Sequence, residues 1–225
     1  MNRMVISFPK SGRTWLRYGL HLAGHGTIEF THDGFEYNDG AKPALSFDYN
    51  ARLTYYRDVD RIVYIERNTH DTIVSLFYQI TGRFRDFFEF QGTISDFLRD
   101  PYFGVTNLIH YQLMWRELSG VLPVLLIRYE DMAQDYTAVL QKVSSHFELE
   151  LSPLDCAQIT SQTTFEAMKQ VEQSGIFHQP WLQPRMGANK VREGRVGGYV
   201  EALSPEDIAY VDSELKKLGL LTCPR

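Results

Sequence analysis

The chain has 225 residues, 44% of them hydrophobic, which is enough to bury one sizeable core and predicts a single domain. Charged residues make up 23% and the formal net charge is -5, a balance that argues against disorder and against a global nucleic-acid-binding surface, so any anionic ligand has to be held by a local site. Two cysteines, Cys156 and Cys223, lie too far apart for a metal spacing or a disulfide framework and predict a reducing, cytoplasmic setting.

From the amino terminus, Met1 to Phe8 is too short an apolar run for a signal peptide, and no stretch approaches the roughly 18 apolar residues of a membrane span. Met4 to Phe8 reads as a buried strand, Pro9-Lys10-Ser11-Gly12 as a tight loop, and Trp15 to Leu22 as a helix by its apolar spacing. A short strand is expected at Thr27 to Thr31. A stronger one is expected at Arg61 to Glu66, running into a polar turn and a helix that begins near Asp71. Val121 to Ile127 supplies another strand, and Tyr129 to Met132 leads into a helix through Val139, Leu140, Val143 and Phe147. Strands alternating with helices predict a parallel sheet covered on both faces. Ser174 to Gly198 has no periodicity and is rich in Gly, Pro, Gln, Arg and Lys, which predicts a long surface loop. Ser204 then caps a last helix through Leu218, with Pro205 at its first position.

The segment Pro9-Lys10-Ser11-Gly12-Arg13-Thr14-Trp15 joins a strand to a helix, where backbone amides and the positive end of the helix dipole converge. An anion belongs there. Gly12 permits the turn, Ser11 and Thr14 add hydroxyl donors, and Lys10 adds a mobile point charge. Alone, the segment also fits an ordinary turn with a solvated lysine. The triphosphate-binding pattern Gly-x4-Gly-Lys-Ser/Thr is absent, which argues against an ATPase or kinase.

Phe8 to Trp15 resembles the first signature of the sulfotransferases that use 3′-phosphoadenosine-5′-phosphosulfate (PAPS), Tyr-Pro-Lys-Ser-Gly-Thr-Thr-Trp, differing in the Phe and in Arg13. That resemblance implies that Lys10, Ser11, Gly12, Arg13, Thr14 and Trp15 wrap the 5′-phosphosulfate. Arg67-Asn68-Thr69-His70-Asp71-Thr72-Ile73-Val74-Ser75 is similar to the second signature, Arg-Asn-Pro-x-Asp-x-x-x-Ser, which implies that Arg67 and Ser75 hold the 3′-phosphate. Taken alone, this segment fits an Arg67–Asp71 salt bridge capping a helix. Arg192-Glu193-Gly194-Arg195-Val196-Gly197-Gly198-Tyr199 resembles Arg-Lys-Gly-x-x-Gly-Asp-Trp and implies further phosphate contacts from Arg192, Glu193 and Gly194, with Glu193 in place of a lysine and Arg195 as a compensating charge. Tyr129-Glu130-Asp131 resembles Tyr-Glu-Asp, and Thr163 to Lys169 resembles Thr-Ser-Phe-x-x-Met-Lys, which places Tyr129, Thr164, Phe165 and Met168 at the nucleotide. Phe165 and Met168 at i, i+3 also fit a core pair.

The resemblance covers residues 4 to about 218 and implies one α/β domain over 1–225, a central parallel sheet flanked by helices in a three-layer sandwich like that of the P-loop nucleotide hydrolases. It implies a PAPS-dependent sulfotransferase without a metal, in which Lys10 neutralises the leaving oxygen and a base takes the acceptor proton. Relatives use the His of a Lys-Thr-His segment. Here Phe30-Thr31-His32-Asp33 is the counterpart, without the lysine, so His32 is the candidate base, Asp33 its orienting partner, and Asp48 and Glu36 the alternatives. A lone histidine before a loop also fits a structural role. The aromatic run Tyr78 to Phe90 is expected either in the core or at a small-molecule or glycan acceptor, with Arg83 and Arg85 hinting at an anionic one. Two other classes stay open: a nucleotide-binding module without catalysis, and a P-loop-like kinase.

Overall fold

The computed structural model describes residues 1–37, 42, 44–191 and 194–220. Strand β1 (Arg3–Ser7) is an apolar run with both faces covered, and its even and odd positions feed different cores. It ends in a turn that Gly12 closes at φ 98°, from which α1 (Arg13–Leu22) departs. Strand β2 (Glu29–Thr31) is shorter than the sequence predicts, because Thr27 and Ile28 still belong to the turn that leaves α1. Helix α2 (Tyr49–Tyr56) starts at Asp48, whose carboxylate accepts from the Ala51 amide. Strand β3 (Arg61–Glu66) has five of its six residues buried.

Asn68 caps α3 (Thr69–Tyr78), which continues as a π-helical turn, Gln79–Arg83, and then α4 (Arg85–Phe88), α5 (Ile94–Leu98) and α6 (Val105–Leu118). Strand β4 (Val124–Arg128) is followed by α7 (Tyr129–Gln134) and α8 (Tyr136–His146). The single helix expected here is broken at Asp135, an extended residue whose side chain caps the second piece. Helices α9 (Pro153–Gln162) and α10 (Phe165–Ser174) precede the long segment, which contains a 3₁₀ turn at Pro180–Leu182 and a bridge between Arg185 and Ala188. Helix α11 (Tyr199–Ala202) and α12 (Pro205–Lys217) complete the described chain, with Ser204 capping α12.

All four strands are parallel, in the order β2-β1-β3-β4, with Ser7 opposite Ile65 and Ile65 opposite Ile127. One face of the sheet, through Met4, Ile6, Ile62 and Tyr64, packs against α3, α6 and α12. The other, through Val5, Val63 and Ile65, packs against Leu16 and Leu20 of α1 and the apolar side of α8 and α9. This is the expected three-layer α/β domain. The chain leaves β1 toward β2 on one side and returns to β3 on the other, so a crevice opens at the carboxyl ends of β1 and β3, where doubly wound sheets bind ligands.

Phe84 and Phe88 of the aromatic run lie in the larger core with Phe97 and Phe103, whereas Tyr78 and Phe87 are exposed. Cys156 is a buried free thiol, and Cys223 lies outside the described residues. Among the described residues, no helix is long and apolar enough to cross a membrane.

Candidate active site

A cleft of about 1040 Å³, open mouth included, lies at the crevice. It is bordered by Lys10, Gly12, Arg13, Thr14 and Trp15 of the first turn, Arg67 and Ser75 of the second, and Tyr129, Phe165, Met168 and Gly194 of the distal half. The two turns meet because β1 and β3 are adjacent, with neighbouring strands about 4.8 Å apart. Arg67 donates from Nη1 to the Lys10 carbonyl at 3.1 Å and from Nη2 to the Arg195 carbonyl at 3.2 Å, and its guanidinium lies 4.3 Å from the Tyr129 ring centre. Lys10 takes φ 74°, a left-handed conformation that a non-glycine residue adopts at a cost and that recurs at functional turns.

The salt bridge between Arg67 and Asp71 that the local sequence allows does not form. Asp71 instead accepts from the amides of Gly197 at 2.7 Å and Tyr199 at 3.1 Å, which anchors the glycine-rich carboxyl-terminal segment to the start of α3. Gly12 is forced by its φ and by the Tyr129 ring, since a Cβ there would sit 2.6 Å from Cδ2. Gly194, at φ 64°, lies flat on Phe165 in the same way. Trp15 stacks on Tyr136 at 4.8 Å and meets Tyr129 edge-on at 5.9 Å, so the first turn of α1 rests on a rigid aromatic base.

Ser11 is buried beneath the turn and does not border the cleft, and Thr164 caps α10 while its neighbour Thr163 reaches the cleft wall. Met168 serves both readings of its motif: it borders the cleft and packs with Tyr18 and Leu182. Arg192 and Glu193 lie outside the described residues.

His32 borders the same cleft and is 9% exposed. Its Nδ1 lies 2.7 Å from the Ser7 carbonyl oxygen, an atom that can only accept. Nδ1 therefore carries the proton, and the lone pair is on Nε2, to which no described residue hydrogen-bonds. Burial first, then the positive charge of Arg13, Lys190 and Lys10, holds the ring well below the usual histidine range, partly opposed by the Ser7 contact. Asp33, expected to orient this ring, does something else. It turns away and accepts from Arg52 Nε at 2.5 Å, Tyr56 OH at 2.8 Å and Trp115 Nε1 at 3.0 Å. Glu36 accepts from the Thr31 hydroxyl and the His32 amide, and so steadies the His32 backbone. Asp48 is committed to its helix cap.

Two residues at the cleft lie outside every motif the sequence offers: Lys190 and Val191. Lys190 and Val191 sit in the segment without periodicity, where nothing in the sequence marks an inward-facing side chain.

Three residues that border the cleft each carry an enclosed donor without a hydrogen-bond partner among the described residues: Arg13 Nη1, Trp15 Nε1 and Arg67 Nε. Burial pushes the Arg13 guanidinium down to about 10, against the opposing pull of Glu36. Lys10, Arg13 and Arg67 border the cleft from two turns, and three cationic side chains around one opening match a ligand made of anionic oxygens.

The chain is similar to rabbit (Oryctolagus cuniculus) amine sulfotransferase, 26% identical across 92% of this chain and 77% of that protein. It is similar also to a guinea pig (Cavia porcellus) 3-alpha-hydroxysteroid sulfotransferase, 22% identical across 87% of this chain and 76% of that one. Among solved structures, a mouse sulfotransferase complexed with PAP superposes with a TM-score of 0.70 at 20% identity, covering 96% of this chain and 83% of its own. A retinol dehydratase complexed with androsterone and PAP superposes at 0.65 and 15% identity, over 96% of this chain and 80% of its own. The family model described as the sulfotransferase domain matches residues 54–218, most of the chain and all but the first of the turns that build the cleft, and the chain therefore belongs to the sulfotransferase family.

Proposed function

We propose that the chain transfers a sulfuryl group from PAPS to a hydroxyl or amine on a small-molecule acceptor, with Lys10, Arg67 and Ser75 holding the donor and His32 as base. The observation that carries this reading is the gathering of three cationic side chains, Lys10, Arg13 and Arg67, around one cleft at the ends of β1 and β3. Bound PAPS supplies an activated sulfuryl group on a phosphate leaving group. Amides at the start of α1, with Thr14 and Arg13, hold the 5′ end. Arg67 and Ser75 hold the 3′-phosphate, and Phe165 with Met168 flanks the adenine.

His32 is set up for its step before any ligand arrives. Ser7 fixes the tautomer, burial keeps the ring neutral, and Nε2 accepts the acceptor's proton as its oxygen or nitrogen bonds to sulfur. Lys10 neutralises the bridging oxygen as the bond from sulfur to that oxygen breaks. The relatives named for amine and steroid substrates, and the neighbour complexed with androsterone, support a small molecule as the acceptor here.

The test is calorimetric titration with adenosine 3′,5′-bisphosphate (PAP), AMP and ATP, followed by transfer of labelled sulfate from PAPS to a panel of phenols, steroids and amines. Tight binding of PAP with much weaker binding of AMP is the expected result. Binding of ATP in preference to PAP would overturn the reading.

A further inference from the structure

The long segment between α10 and α11 delivers a cation into the cleft. Lys190 and Val191 both donate their amides to the Glu172 carboxylate, the second at 2.9 Å. Glu172 is itself buried and lies 3.6 Å from Arg83 Nη1. Arg83 Nη1 also donates to the Gln183 carbonyl at 2.7 Å and the Ala188 carbonyl at 3.4 Å. A buried ion pair rooted in α10 and in the π-helical turn after α3 thus holds the segment immediately before Lys190.

Held this way, Lys190 is partly buried and its side chain borders the cleft. The side-chain hydrogen bond it makes is a long one, 3.4 Å, to the neutral Gln79 Oε1. Its charged neighbours are Lys10, Arg83 and Arg13, and the nearby carboxylate, Glu172, is already engaged by Arg83 and two amides. Burial, reinforced by those like charges, holds the amine well below the usual lysine range. Its charge also reaches His32, as does that of Lys10. A partly buried ammonium among three cations is unfavourable unless an anion joins it. Lys10 and His32 mark the reactive end of the cleft, so the anion meeting Lys190 is the group being transferred.

We infer that Lys190 is a second catalytic cation on the non-bridging oxygens of the sulfuryl group, and that Glu172 and Arg83 are its positioning pair. The inference rests on the reading that PAPS occupies the cleft. As the acceptor atom bonds to sulfur, its proton passes to His32 Nε2. The electron pair of the broken bond stays on the 5′-phosphate of PAP beside Lys10. Lys190 holds the three oxygens that travel with sulfur, and no electron changes hands.

The test compares Lys190→Ala and Lys190→Arg with the unaltered protein in titrations with PAPS and, separately, PAP, together with kcat and the thermal midpoint. Loss of a charge-assisted contact to sulfuryl alone predicts PAPS affinity and kcat each down about tenfold or more, PAP affinity within about twofold, and partial rescue by arginine. Glu172→Gln is expected to move PAPS and PAP affinities in the same selective way. Equal losses for PAPS and PAP, or no loss of either, would overturn the assignment. An unaltered protein that binds neither nucleotide would instead bring down the reading beneath it.

Discussion

Arg67 donates to the carbonyl oxygen of Lys10 at 3.1 Å although 57 positions separate them in the chain. One guanidinium therefore ties the turn after β3 to the turn after β1, and a second bond from it reaches Arg195. Arg67→Ala is expected to weaken PAP binding by about an order of magnitude or more, as for a lost charge-assisted phosphate contact. Arg67→Lys should fail to restore it, because a point charge cannot donate to both carbonyls and to a phosphate from one plane. Calorimetry with PAP measures both, and full recovery in the lysine variant would count against the fork geometry.

His32→Ala should abolish transfer and leave PAP affinity nearly unchanged. Because burial and the surrounding cations keep the ring neutral in the free protein, the acid limb of the kcat/KM profile should lie well below the ordinary histidine value of 6.5. A pH–rate series read by product release checks this. A limb centred at or above 6.5 would show that another group is the base.

Asp33 is a structural residue, and its loss should show in stability. Removing the carboxylate leaves Arg52, the Tyr56 hydroxyl and the Trp115 indole without their shared acceptor, which predicts a loss of about 3 to 5 kcal/mol for Asp33→Ala. Denaturant unfolding reads the loss directly. The folded fraction should keep the pH profile of the unaltered enzyme, and a displaced acid limb would return Asp33 to the role of orienting partner.

Gly194→Ala is expected to weaken PAP binding severalfold and to lower the thermal midpoint by about 2 to 4 °C. Its Cβ would overlap the Phe165 ring and would occupy a φ of 64°, so the ring must tilt away from the cleft. Unchanged PAP affinity would show that Phe165 does not face the adenine.

His32, His70 and His146 are all held below 6.5 by burial, His70 in spite of the opposing pull of Asp212. The unfolded chain binds protons near 6.5 that the folded chain refuses. This contribution to stability is complete above that pH and declines as pH falls through 6.5 toward the folded values. The limiting slope is about 1.4 kcal/mol per pH unit for each ring. Urea unfolding at pH 7.5, 6.5 and 5.5 measures it, and His32→Gln should flatten the decline by roughly a third.

The two turns that border the cleft were legible in the sequence as strand, tight polar turn and helix, because each is local, and the family resemblance is what marked them as a site. The parallel sheet was legible for the same reason, through alternating periodicities. What escaped was set by long-range geometry. Asp71 reads as a partner for Arg67 four positions away, yet its carboxylate serves amides 126 and 128 positions distant. Asp33 sits next to His32 in sequence, but its φ of 54° turns it toward Trp115 on the opposite side. Lys190 has no periodic context at all, and only the Glu172 carboxylate, which grips its amide, decides that its side chain enters the cleft.

The grip of Asp71 on Gly197 and Tyr199 has a consequence for biosynthesis. The sheet and both turns that border the cleft are complete once β4 and its following helix have left the ribosome, but the wall carrying Lys190, Gly194 and Tyr199 is made about sixty residues later. A nascent chain stalled before that point can fold most of its core and still lack a complete cleft. Ligand-induced protection from proteases should therefore appear only in chains that extend past Tyr199.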